Sequence, residues 1–287
     1  MAQKYKLLKN VTIQHAGYTL YAIKALKSFG DVKADDIGGW VESEANLAQD
    51  GTCWIYDEAK VYKDARVSGN AEIRHEAEVN GSAQVSGNAY VSNKAKITDK
   101  AHVYGDANIY HEVKIMHSSK VYGNAEICGY SHISEFARVY GNAIISHHAN
   151  ILGNAHVYGN AKVNGYAYVY DDARIYRKAY ISDFVKVYQN AKVRGQARVK
   201  GYAIISGDAI LESSDDYITL RNNWSSGRYF TYTRSNQLFR VGCFLGTGDE
   251  LIEKAYKDSQ LSGDCYEASV LYVKMLEQAF AHNKQKQ

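Results

Sequence analysis

Proline is missing from all 287 residues. A chain without it carries nothing that must interrupt a backbone hydrogen-bond ladder. Cysteine is sparse: Cys53, Cys128, Cys243 and Cys265 show no paired C-x-x-C spacing, which argues against a disulfide framework and against a zinc site and leaves four reduced, structural thiols. Charge of one sign is also lacking. With 34 Lys+Arg against 31 Asp+Glu the formal charge is only +3, too little for a wholly basic nucleic-acid coat, so a charge-driven partner must be met locally. No apolar run approaches the roughly 18 residues of a membrane span, and the opening MAQKYKLLKN has no apolar signal core. The expectation is a cytoplasmic protein with no membrane partner. The G-x-x-x-x-G-K-[ST], G-x-S-x-G and H-E-x-x-H patterns are all absent, so no nucleotide loop, nucleophile elbow or zinc-protease helix is indicated. Phenylalanine, at seven, is scarce beside 25 tyrosines.

What is present is a repeat. From Ile55 every sixth residue is Val or Ile through Ile205, and the next step lands on Leu211, giving 26 hexads without insertion or deletion. Four residues after each aliphatic stands Ala, in 22 of the 26 hexads; Val113, Ser119, Ser131 and Val185 are the exceptions. Ala-x-Val-x is a short strand with Ala and Val pointing in and both x residues pointing out. The remaining two residues turn a corner, and pairs such as Gly69-Asn70, Gly105-Asp106 and Gly165-Tyr166 tolerate the positive φ that a corner needs. Three corners close a triangular coil of 18 residues, and stacked coils hydrogen-bond at about 4.8 Å to make a rod about 40 Å long.

These residues resemble the hexapeptide-repeat family of left-handed parallel β-helices. The usual Gly directly after the aliphatic is displaced by one, as in Val121-Tyr122-Gly123-Asn124-Ala125, so left-handedness is implied by the resemblance and not by the spacing. The closer similarity is to a subgroup carried by bacteriophages and prophages, labelled only as transferases or polymer-forming proteins. It extends to Phe29-Gly30-Asp31-Val32, Gly38-Gly39-Trp40-Val41, the VYGNA repeats, Trp224 to Tyr229 and Val241-Gly242-Cys243-Phe244.

A solenoid needs capped ends. Residues 4–26 read as a hairpin turning at Gly17, with Val41 and Leu47 in irregular first coils. After Leu211, Tyr217 to Leu220, Arg228 to Thr233 and Leu238 to Phe244 read as three strands. Thr247-Gly248-Asp249-Glu250 has capping-box spacing before a helix through Tyr256, and Cys265 to Ala281 reads as a second helix. The expected organisation is mainly β: an N-terminal β cap over 1–54, a β-helix over 55–212 and an α+β capping or oligomerisation domain over 213–287. Trp224, Tyr229, Phe230, Tyr232 and Phe239 offer either a cap core or a ligand surface.

Residues 18 apart stack, so the outside can be read as columns. One column after the aliphatic carries Tyr104, Tyr122, Tyr140, Tyr158 and Tyr176. The column before it carries His102, Lys120, Arg138, His156, Arg174 and Lys192. Like charges about 4.8 Å apart repel, and almost no acidic residue relieves them. Aromatic rings beside cations suit phosphorylated, base-containing ligands. A structural aromatic ladder, with an acidic face of another subunit meeting the cations, is the competing reading. The corner beside this column is Gly in seven of eight coils, with Arg177 the exception.

Members of the hexapeptide-repeat family are commonly trimeric acyltransferases with a catalytic His under an extruded loop. No hexad here gives rise to such a loop. His75, His111 and His147 lie two coils apart, about 10 Å between neighbours, too far for one zinc with ~2 Å ligand distances; His117 and His132 fall in other columns. The sequence therefore points to a non-enzymatic, homo-oligomeric binding protein with no cofactor, capturing a nucleotide-type ligand or nucleic acid. The phage resemblance implies sequestration that counters host defence, or contact with a host defence protein. A trimeric acyltransferase and a purely structural assembly module are the alternatives.

Overall fold

The computed structural model of the chain describes residues 3–284. Each hexad forms a two-residue strand, from Trp54–Ile55 to Ile210–Leu211. Strands 18 residues apart pair in parallel without a register shift, as in Val103↔Val121 and Val121↔Val139. The result is a three-sided parallel β-helix of 18-residue coils, with two nine-stranded faces and a third extended to twelve strands by the N-terminal segments. The inward Ala and Val/Ile columns are fully buried, each side chain stacking on its equivalent one coil away. Backbone N–H groups reach across coils in the same rhythm: Lys120 N donates to Ala137 O at 2.9 Å and Tyr122 N to Val139 O at 3.0 Å. Buried Ser119 and Ser131 stand where Ala is the rule. Each hydroxyl donates to a carbonyl three residues back, Met116 O and Cys128 O, both at 2.7 Å, which satisfies the polar atom inside the core.

Corner residues adopt positive φ whether or not they are glycine. Beside the tyrosine column the corner is nearly all Gly, and a Cβ on Gly123 (φ +70°) would lie 3.0 Å from Gly141 N. At the other corners the cost of the left-handed conformation is offset by side chains that accept from the corner N–H one coil on: Asp171 Oδ2 from Gln189 N at 3.1 Å, Asp183 Oδ2 from Gly201 N at 2.8 Å and Gln189 Oε1 from Gly207 N at 2.7 Å. Short polar side chains are therefore tolerated at left-handed positions for two reasons, local geometry and cross-coil bonding.

Both ends are closed. Strands Tyr5–His15 and Tyr18–Ala25 form the predicted antiparallel hairpin, which joins the twelve-stranded face through Ile37–Val41. Tyr5, Ile23 and Ala25 are buried with Val41 and Leu47, and the Tyr5 hydroxyl donates to Leu47 O at 2.7 Å. At the far end four antiparallel strands, not three, cover the last coil: Tyr217–Arg221, Tyr229–Thr233, Leu238–Val241 and Phe244–Gly246. The expected single strand Leu238 to Phe244 is split because Gly242 takes φ +57° and folds Phe244 back onto Val241. Thr231 Oγ1 accepts from Ile204 N at 2.9 Å and Ser235 Oγ from Ile210 N at 2.7 Å. Side-chain oxygens thus take the place of the coil that would come next.

Helix α1 spans Gly248–Asp258 behind the capping box of Thr247 and Glu250. Helix α2 spans Gln260–Lys284, five residues longer at its start than the Cys265 boundary read from sequence. Ser259, in extended conformation, breaks the two helices, and Gly263 does not delay α2 because the Tyr256 ring occupies the space a Cβ would fill. Phe230, Tyr232, Phe239, Leu251, Tyr266 and Val270 form one buried cluster, with Trp224 packed against it. Phe230, Tyr232 and Phe239 thus serve as a cap core, and Tyr229 lies outside that cluster. Gly123→Val should destabilise the protein by about 1–2 kcal/mol more than Gly123→Asn, since a β-branched residue suffers most in the left-handed region. Urea titrations of the two variants measure the difference, and equal midpoints would contradict the corner account.

Candidate functional site

The sheet that ends at Ile210–Leu211 carries the predicted columns on its outer side. Tyr104, Tyr122, Tyr140, Tyr158 and Tyr176 form an unbroken stack with ring centroids 4.8, 4.9, 4.9 and 5.0 Å apart and planes parallel within 2°. His102, Lys120, Arg138, His156, Arg174 and Lys192 stand on successive paired strands of the same sheet. Being two residues from the tyrosines, they share the outward side. All eleven predicted positions are therefore gathered on one face.

The stack changes what the rings can do. Each inner tyrosine has both faces covered by its neighbours at contact distance, so no base can slip between them. The strip presents ring edges and hydroxyls. One end is closed by Arg194, which donates to the Tyr176 hydroxyl at 3.1 Å and pairs with Glu212. At the other end the equivalent position one coil back is Ser86. Tyr104 therefore keeps one face free of an aromatic neighbour, where a base can stack.

The cations of this strip differ from those that a carboxylate holds. Arg74 is pinned by Glu72 and Asp31 at 2.8 and 3.0 Å, and Lys96 lies 3.6 Å from Glu78. Among the described residues, Lys120, Arg138, Arg174 and Lys192 form no ion pair. Their mutual field is felt by the histidines between them. Burial, then Arg138 and Arg174, push the His156 pKa below the ordinary histidine value against a smaller opposing effect of Asp172. Burial and then Lys120 do the same to His102. Burial and the flanking rings Tyr122 and Tyr158 raise Tyr140, so its phenol stays protonated and able to donate. The face holds hydroxyl donors, guanidinium and ammonium groups, and no nucleophile held by a base.

A second aromatic ladder escaped the sequence reading. Tyr130, His148, Tyr166, Phe184, Tyr202 and Tyr229 stack with centroids 4.5 to 5.3 Å apart along a different corner. Its signal was available, since the first five residues recur every 18 one step after the corner. Tyr229 then carries the stack onto the C-terminal sheet, tying cap to rod. His75, His111 and His147 occupy left-handed corner positions and are exposed. Among the described residues no three His, Cys, Asp or Glu side chains are grouped to hold a metal. No loop interrupts the strands between Trp54 and Leu211, and no described helix is long and apolar enough to cross a membrane.

The histidine shifts have a definite sign. A histidine whose pKa is lower folded than unfolded binds its proton less readily when folded, so the protein gains stability as pH rises through that window and loses it as pH falls below about 6.5. His156 should titrate in an NMR series below the usual imidazole midpoint, and Arg174→Gln should move that midpoint upward by removing a positive neighbour. An unmoved midpoint would show that Arg174 does not act on His156.

No family model matches the chain. A stretch of 39 residues is 51% identical to a protein of Escherichia coli strain K12 described as "Uncharacterized acetyltransferase YdcK". That stretch makes up 14% of this chain and covers 12% of the E. coli protein, so the chain spans about an eighth of the length of the relative it matches. In length it corresponds to about two coils, and it supports a β-helix of the hexapeptide-repeat kind.

Proposed function

We propose that this protein is a non-enzymatic capture scaffold whose tyrosine and basic strip binds a nucleotide-type polyanion, either an oligonucleotide laid along the rod or a small phosphorylated signal held near Tyr104. The observation that carries the reading is the run of four Lys and Arg side chains in register with no carboxylate partner, beside a rigid row of phenol hydroxyls. Repulsion along that run costs stability unless an anion is supplied. Because the stack is already ordered, little side-chain entropy is lost on binding. Phosphates meet the cations, the hydroxyls donate to phosphate or sugar oxygens, and one base covers the open face of Tyr104. The resemblance to phage-borne proteins gives such capture a purpose: removal of a nucleotide signal, or occupation of nucleic acid, in a host cell defending itself.

The 39-residue similarity to a protein described as an acetyltransferase favours a second reading, acyl transfer from acetyl coenzyme A. Against it stand the uninterrupted hexads, which leave no loop to cover a thioester, and the corner histidines, whose rings bond no carboxylate among the described residues. Mass spectrometry of ligand retained by the purified protein separates the readings: a bound nucleotide supports capture, and coenzyme A with thiol release on addition of acetyl coenzyme A supports the enzyme.

Binding of a short labelled oligothymidylate should fall with salt at a slope of log K against log [salt] of about −3, as expected for four phosphate contacts on a single strand. The combined variant Lys120→Ala, Arg138→Ala, Arg174→Ala should bring the slope to about −1 and weaken binding more than about 100-fold. A charge-matched control on another face, Lys60→Ala, Lys114→Ala, Lys186→Ala, should bind nearly as the parent does. Equal losses in both variants would reject the strip as the site. An anion on the strip also raises the pKa of His102 and His156, so binding takes up protons and should tighten between pH 7.5 and pH 5.5.

A further inference from the structure

Helix α2 has two apolar sides. At about 100° per residue, Tyr266, Val270 and Val273 fall together and are buried against the C-terminal sheet and α1. Leu261, Ala268, Leu271, Tyr272 and Met275 gather on the opposite side. There they are exposed, Leu261, Leu271 and Met275 at 60, 58 and 60% and Tyr272 at 49%. A helix apolar on opposite sides is ordinarily covered on both, and among the described residues nothing covers this one. The outer residues follow a heptad: Leu261, Ala268 and Met275 are seven apart, with Leu271 between the latter two. That is the spacing of a helix-pairing seam.

We propose that this face pairs with the same face of a second copy of the chain, antiparallel about a two-fold axis between Leu271 and Tyr272. Two features select that occupant. Charge along the flank is ordered: Glu267, which accepts from the Tyr256 hydroxyl at 2.7 Å, lies in the first half and Lys274 in the second, while Asp264 lies within the face itself, seven residues before Leu271. Antiparallel pairing sets Glu267 of one copy beside Lys274 of the other, whereas parallel in-register pairing sets Asp264 of the seam against its own copy. Size is ordered too. About that axis the small Ala268 faces the large Met275, and Leu271 faces Tyr272, in an isologous contact. Lys274 also lies 3.1 Å from Asp249, an exposed pair that costs little to exchange. The surface lies on a helix and not on the β-helix face assigned to ligand, so dimerisation and capture can fail independently.

Sedimentation of the full-length protein at about 100 μM, where contacts of this modest size are populated, should give twice the 32.1 kDa of one chain. Leu271→Glu with Met275→Glu should give one chain's mass with unchanged circular dichroism and unchanged oligothymidylate binding. A parent protein of one chain's mass at that concentration would overturn the proposal, as would a variant that stays dimeric. Orientation is read separately in a Cys243→Ser, Cys265→Ser background. Leu271→Cys should form an intermolecular disulfide and Leu261→Cys should not, whereas a disulfide at both would overturn the antiparallel arrangement.

Discussion

The whole molecule rests on one constraint, the 18-residue register between coils. The Val/Ile and Ala columns leave a core too narrow for anything but stacked small and branched side chains, and most N–H and C=O groups of each coil are satisfied by the coils on either side. Slipping by one residue would turn the buried column outward. Because the register is so tightly held, it is exported to the surface: whatever residue type recurs every 18 positions becomes a straight column with a fixed repeat.

Columns convert a weak sequence preference into a physical object. Five tyrosines at one position become a continuous stack, and six basic or imidazole side chains two residues away become a line of positive charge. Carboxylates hold some of the cations, Arg74 by Glu72 and Asp31 and, at the end of the tyrosine column, Arg194 by Glu212. Among the described residues Lys120, Arg138, Arg174 and Lys192 have no such partner. His102 and His156 are depressed by burial first and, to a smaller extent, by the same lysine and arginine groups that would attract a polyanion.

How much of this could be read in advance follows from where the information lies. The period, the inward columns and the alignment of Tyr104 through Tyr176 are one-dimensional facts, and elementary strand geometry carries them into space. The consumption of the ring faces is not such a fact, because it depends on the rotamers that parallel neighbours adopt once stacked. From sequence Gly242 reads as part of a strand because the aromatic and aliphatic residues around it look continuous; its positive φ makes the turn. Helix α2 begins early because Gly263, ordinarily a helix breaker, is packed against Tyr256. The ladder from Tyr130 to Tyr229 is hidden in the sequence because His148 and Phe184 interrupt the identity of the residue but not the planarity of the ring, and because its last member comes from outside the repeat.

Polyanion capture on the tyrosine and basic face is the central claim, and a crystal structure of the protein soaked with a short oligothymidylate tests it most directly. The account predicts phosphate density beside Arg138 and Arg174, with a base resting on the uncovered face of Tyr104. Phosphate density on another face of the rod, with this strip bare, would contradict it.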